Sequence, residues 1–229
     1  MSARTLSTET EEQRSEYAYE ALAYGIATGA LPPGTPIRER SDAARLGMSR
    51  TPFREALYRL ELEGLVVRKS KRGTLVAPLD ARGIAESMAL REAIELAMAQ
   101  RIVGDRTIDL APLEEQLAGQ RQAAEREDRL AFLAADETFH IELVQLAGNA
   151  LAVDAVRRCW LQLNRARYLA PMRRPAMRSA LRDHQEILGA IRSGDVDGVR
   201  WAIRRHLDEP VQRLLRDLRA SHPEVFARS

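Results

Sequence analysis

The chain has a single cysteine, Cys159, so no intramolecular disulfide framework is available, and this fits a reducing compartment. Aromatic residues are only 5% of the 229 positions, whereas Ala and Leu abound, which favours helices over sheets. No apolar run reaches the roughly 18 residues a membrane span needs, so none is expected. Lysine is nearly missing: only Lys69 and Lys71 stand among 35 otherwise all-arginine basic residues. Strong net charge is missing too, and the balance of +2 gives no whole-chain argument for a polyanionic partner. The polar, acidic stretch from Met1 to Arg14 lacks the apolar core of a secretory signal and reads as an arm, so a cytoplasmic protein is expected. What remains is ordinary for a globular chain, with 45% hydrophobic and 30% charged residues and room for one large domain or two modest ones.

The charge is unevenly spread. Residues 38–78 carry ten Lys/Arg against five acids, while residues 79–229 balance at 23 of each. A local basic patch beside a neutral region is the footprint of a nucleic-acid binder.

Helical spacing of Tyr19, Leu22, Ala23 and Ile26 predicts a helix over 10–28, broken by Gly29, Pro32, Pro33 and Gly34. A short helix follows over 39–45, closed by Gly47. The next runs from Ser49 to about Glu63 and stops at Gly64. Ser49 or Thr51 can cap it, and Pro52 is tolerated in its first turn, where backbone N–H groups lack intrahelical partners. Two strand-like segments, 65–68 and 74–77, flank the basic tip Lys69-Ser70-Lys71-Arg72-Gly73. Residues 10–78 therefore read as a winged helix-turn-helix of three helices and a two-stranded wing. From 79 to 229 no strand signal survives. Six helices are predicted over 81–103, 108–126, 128–147, 149–169, 176–193 and 195–219, an all-α bundle without internal sequence repeats. The fold class is mainly α.

In a winged helix, base edges are reached from the first turns of the recognition helix. Arg50 and Arg54 are four apart and share a face, and arginine can donate twice to guanine O6 and N7. Thr51 suits a phosphate or a thymine methyl. Leu46, Leu57, Leu60 and Leu62 are assigned to the core. Lys69, Lys71 and Arg72 can meet phosphates or the minor groove, and Gly73 lets the wing backbone come close. Taken singly, each arginine reads equally well as a solvated helix face or a surface ion pair. The ordered series of turn, arginine-bearing helix, glycine, strand, basic tip and strand carries the DNA reading.

The run Leu31-Pro32-Pro33-Gly34-Thr35-Pro36-Ile37-Arg38-Glu39-Arg40, followed by Leu46-Gly47-Met48-Ser49-Arg50-Thr51-Pro52-Phe53-Arg54-Glu55-Ala56-Leu57, resembles the GntR family of bacterial transcription regulators across about residues 15–78. The resemblance implies an operator-contacting set of Arg40, Ser49, Arg50, Thr51, Arg54, Lys71, Arg72 and Gly73. One departure is Ser41-Asp42-Ala43-Ala44, where the family usually has a leucine.

Only four histidines occur: His140, His184, His206 and His222. Asp136 and His140 are four apart on one helix face, a workable metal clamp. With His184 and His206 they can make a three-His, one-carboxylate site for Zn²⁺, Ni²⁺ or Mn²⁺. On the residues alone, a lone helical histidine is more often a surface or core-edge residue, and groups spread over 70 positions need not meet. Residues 81–216 resemble the FCD ligand-binding domain of the FadR-like GntR subfamily. The supporting residues are Leu90-Arg91-Glu92-Ala93-Ile94-Glu95, Asp136 with His140, Ala147-Gly148-Asn149, Asp183-His184 with Ile187-Leu188, and Ile203 with His206-Leu207. That resemblance implies Asp136, His140, His184 and His206 as ligands of a divalent metal, zinc first. His222 lies past the pattern.

A metal with open positions suits a small carboxylate effector. Arg91 is the residue expected to share that carboxylate, its alternative being a surface ion pair with Glu92 or Glu95. Asn149, Asn164, Arg165 and Tyr168 are further pocket candidates, although Asn149 equally suits a helix cap and Tyr168 packing. The expected protein is a homodimeric repressor reading an inverted-repeat operator. One rival is a metal-dependent hydrolase, against which stands the lack of an HExxH motif or a phosphate-binding glycine loop. The other is a metal-free regulator of the same fold holding a larger apolar or acyl ligand.

Overall fold

The computed structural model of the chain describes residues 10–70 and 73–226, the side chains of 208–212 excepted. It divides into two compact units, one of residues up to Asp80 together with the C-terminal residues from His222, the other of Ala81–Ser221.

The first unit begins with α1 (Glu11–Ala27), whose N-terminus is closed by a capping box in which Thr10 and Gln13 each satisfy the other's backbone N–H. The arm reading of Met1 to Arg14 thus gives way at Thr10; residues 1–9 lie outside the described residues. Then come β1 (Pro36–Ile37), α2 (Glu39–Arg45), α3 (Arg50–Leu62), β2 (Val66–Lys69) and β3 (Gly73–Val76). The sheet is antiparallel with β3 central and has three strands, not two. The added strand is two residues long and opens on a proline, which has no N–H to give a ladder and so suits an edge.

α1 lies against α3, burying Ala18, Leu22 and Ile26 over Phe53, Leu57 and Leu60, with Leu65 and Val76 beneath. Leu62 departs from its core assignment at 70% exposure. It stands five residues after Leu57, about 140° round the helix, and so points away from α1. Leu46 is half-buried. Ser49 occupies the N-cap of α3 with extended backbone, yet its side chain makes no capping bond.

The second unit is α4 (Ala81–Ile102), α5 (Ala111–Arg126), α6 (Arg129–Leu146), α7 (Ala150–Leu169), α8 (Arg174–Ser193) and α9 (Val196–Ser221). α4 packs on α6, α7 and α9, and α5 on α6 and α8, around Phe132, Phe139, Trp160 and Leu113. Asp128 and Asn149 cap α6 and α7 by accepting from Ala131 and Ala152 backbone N–H groups. Pro175 does not delay α8: it sits in the first turn, where no backbone donor is needed. Cys159 is buried. After α9 the chain rejoins the first unit, where Leu79 N–H donates to Val225 O at 2.6 Å and Leu79 bridges Phe226. The reading that ran the helical domain from 79 to 229 took this tail with the helices. No described helix is long and apolar enough to cross a membrane.

Candidate nucleic-acid interface and metal centre

In the first unit, Arg40, Ser49, Arg50, Thr51 and Arg54 are all exposed, from the start of α2 and the first turns of α3. Pro52 and Phe53 turn inward beneath them. α3 is held from behind: Tyr19 of α1 donates to Glu63 at 2.8 Å, and the Arg59 guanidinium lies 4.0 Å from the centre of the Tyr19 ring. Arg50 and Arg54 both reach Glu39, at 3.4 and 2.6 Å. Gly73 is exposed with φ +70 and nothing within 4 Å of where a Cβ would stand, so the wing backbone is open to approach. Lys71 and Arg72 lie outside the described residues.

In the second unit, three helices bring together Asp136 and His140 of α6, His184 of α8 and His206 of α9. All four are buried, and their candidate ligand atoms lie within 4.8 Å of one another. The three Nε2 atoms form a triangle with edges of 3.1, 3.1 and 3.0 Å. Edges of this length suit nitrogens sharing one ion about 2.1 Å away at near-octahedral rather than tetrahedral angles. Asp136 Oδ1 stands 3.7 Å from His184 Nε2.

Proton placement explains why this triangle fits a cation. Gln120 gives its amide nitrogen to Ala135 O, so its oxygen faces His184 Nδ1 at 2.7 Å and that nitrogen must donate. His140 Nδ1 meets the Glu95 carboxylate at 2.7 Å, again as donor. Both Nε2 atoms therefore present bare lone pairs at 3.1 Å. Two lone pairs at that distance repel; a shared cation turns the arrangement into a favourable one. Burial pushes both imidazoles well below their ordinary pKa, with nearby cationic groups adding to it, so the neutral, metal-ligating form is favoured. Burial works against ionisation of Asp136, but Arg167 Nη2, 2.6 Å from Oδ2, and the neighbouring His184, His140 and His206 together outweigh it and hold the carboxyl below the usual carboxylate range. His206 is the least tied of the three: Asp183 Oδ2 is 3.6 Å from its Nδ1, which is buried without a hydrogen bond.

A cavity of about 520 Å³ opens beside the cluster, and Met88, Arg91, Leu133, Asp136, Arg167 and His206 are among its lining residues. Arg91 is 2% exposed, so of the two ion pairs weighed for it the one with Glu95 forms, but in the interior rather than at the surface. It pairs with buried Glu95 at 2.5 Å, stacks 4.0 Å from the Trp160 ring centre and keeps a buried Nη2 without a partner. Asn149, Asn164, Arg165 and Tyr168 do not line this cavity. Asn149 caps α7, Asn164 donates to Glu137 at 2.7 Å and Arg165 to Gln162 at 3.1 Å. Tyr168 gives its carbonyl to Arg129. His222 sits outside the cluster, 3.3 Å from Glu224.

Sequence reasoning missed Glu95 and Gln120, which set the tautomers, and Arg167, which grips Asp136. Arg167 had a signal: it lies seven residues after Trp160, hence on the same helix face, and its guanidinium stacks 4.8 Å from that ring. Gln120 had none, because nothing in a polar residue on an amphipathic helix marks it as buried.

The model of the FCD domain matches residues 86–209, and that of bacterial regulatory proteins of the gntR family matches residues 14–76. The HTH-type transcriptional repressor RspR of Escherichia coli is 30% identical over 214 residues, spanning 93% of this chain and 93% of that protein. An HTH-type transcriptional regulator of Streptomyces ambofaciens, from an unstable DNA locus, is 34% identical over 212 residues, 91% of this chain and 88% of that one. Among solved structures, a GntR transcriptional regulator from Rhodococcus superposes with a TM-score of 0.78 at 24% identity, covering 89% of this chain and 98% of that chain, which shows the shared fold. With a DNA-binding helix-turn-helix joined to a ligand-binding domain, the chain belongs to the gntR family of bacterial regulatory proteins and is a transcription regulator rather than an enzyme.

Proposed function

We propose that the protein is a cytoplasmic, homodimeric repressor of the FadR-like subfamily, released from its operator by a small carboxylate bound beside a divalent metal. The observation that carries the input half is the triangle of bare Nε2 atoms next to a cavity in which Arg91 keeps an unpartnered, buried N–H. Asp136, His140, His184 and His206 would hold the ion, zinc before nickel or manganese. A bound ion would supply positive charge to offset that of the carboxylate. Arg91 supplies directed donors for the same group, held still by Glu95 and Trp160.

The output half rests on the exposed set Arg40, Ser49, Arg50, Thr51, Arg54 and Gly73. Two copies of such a unit, related by a two-fold axis, would read an inverted repeat. The effector regulates only through differential affinity for two arrangements of the dimer; about 1.4 kcal/mol shifts that balance tenfold. A second reading, a regulator holding a larger apolar ligand, draws support from Met88, Leu133, Leu163 and Met172 in the cavity wall.

Paired variants test both halves. Arg54→Ala is expected to weaken operator binding by about 1–3 kcal/mol, the worth of one good base contact, while metal uptake persists. His184→Ala is expected to abolish metal uptake while operator binding persists. Unchanged operator affinity in a folded Arg54→Ala protein refutes the output assignment; full metal uptake by His184→Ala refutes the input one.

A further inference from the structure

An acid stands in the middle of the proposed DNA face. Glu39 opens α2, and its Oε2 accepts from Arg54 Nε at 2.6 Å and lies 3.4 Å from Arg50 Nη2. On a surface that meets phosphates, a carboxylate is electrostatically costly. It is not needed to close α2, because Asp42 already accepts from the Arg38 backbone N–H at 2.8 Å. Nor is it deeply buried, its side chain being 28% exposed.

The atoms involved supply the reason. Arg54 engages Glu39 through Nε, which among the described residues leaves its two Nη groups clear. A guanidinium held by that nitrogen loses most of its rotational freedom and still presents two donors, which is what a guanine O6/N7 edge requires. The same oxygen draws Arg50 to the same point, and it offsets the repulsion between two guanidinium groups four residues apart on one helix.

Resting on the reading of Arg50 and Arg54 as base contacts, we infer that Glu39 is a positioning residue that preorders both recognition arginines and so sets sequence discrimination, at the expense of raw affinity for DNA. The two effects have opposite signs, and this separates a positioning role from a generic charge. Removing the carboxylate takes a negative charge away from the phosphates, which strengthens binding to any duplex. It also frees the arginines, which weakens binding to the correct duplex only.

The test uses the full chain with two duplexes of equal length: one enriched from a randomised pool by the wild-type protein, the other of mixed sequence. Glu39→Ala is expected to lower affinity for the enriched duplex about tenfold, the worth of a hydrogen bond to a charged group, while affinity for mixed sequence stays level or rises. Glu39→Gln keeps an oxygen for Arg54 Nε and restores part of the ratio between the two. If both affinities rise together, or both fall in proportion with a lowered melting temperature, the inference is overturned. Arg54→Ala measured alongside separates the two layers. If it lowers the ratio and Glu39→Ala does not, only the positioning role fails; if neither lowers it, the base-contact reading fails and takes the inference with it.

Discussion

At His184 a neutral amide settles which nitrogen carries the proton. Gln120 is fully buried and oriented by the Ala135 carbonyl, so His184 Nε2 is left bare toward His140 and His206. Partners of this kind govern ligand orientation and basicity as much as the ligands do. Gln120→Leu, similar in volume but unable to accept, should therefore lower zinc affinity roughly 10–100-fold, measured by competition against a chromophoric chelator. An affinity equal to wild type would remove Gln120 from the account. The gathering of Asp136, His140, His184 and His206 was legible because Asp136 and His140 share a helix face and the family pattern marks the other two. Glu95 was read only as a surface partner for Arg91, since sequence spacing gives the face of a helix but not its depth.

Among the secondary-structure elements, α3 has two faces with different work. Its inner face is Phe53, Leu57 and Leu60, each fully buried; its outer face is Arg50, Thr51 and Arg54. Phe53→Ala should cost about 3–5 kcal/mol by denaturant unfolding, the usual penalty for a large core truncation, and Leu62→Ser should stay within about 0.5 kcal/mol. Comparable losses for both would mean that α3 is rotated relative to the packing described. The helices were legible because 3.6-residue periodicity and glycine or proline breaks coincide, as at Gly148-Asn149 and Gly194. β1 was not, because two residues carry no alternation and Pro36 argues locally against a strand. Leu62 was misassigned for a related reason: apolar character alone was followed past the turn at which the helix phase carries it outward.

On the scale of the whole molecule, a near-neutral chain places its excess of basic over acidic residues in the stretch 38–78 of the unit that meets DNA. Binding to an inverted repeat should therefore depend steeply on salt. The log–log slope falls by about 0.9 for each phosphate neutralised, and the protein–DNA complex should sediment with two chains per duplex. A shallow slope, or one chain per duplex, would contradict the dimeric reading. The division into two units was visible in the sequence as the change from strand-bearing to purely helical patterning near Asp80. The return of residues 222–226 to Leu79 was not, since a single backbone bridge leaves no periodic trace.

The central claim is that the buried Asp136, His140, His184 and His206 form a metal-bearing input joined to a DNA-reading output. Its most direct test is the metal content of the full-length protein, purified without chelator, equilibrated with micromolar zinc, desalted and measured by plasma mass spectrometry. The account predicts one tightly held ion per chain, lost in His184→Ala. A wild-type protein that remains folded and carries no metal would contradict it.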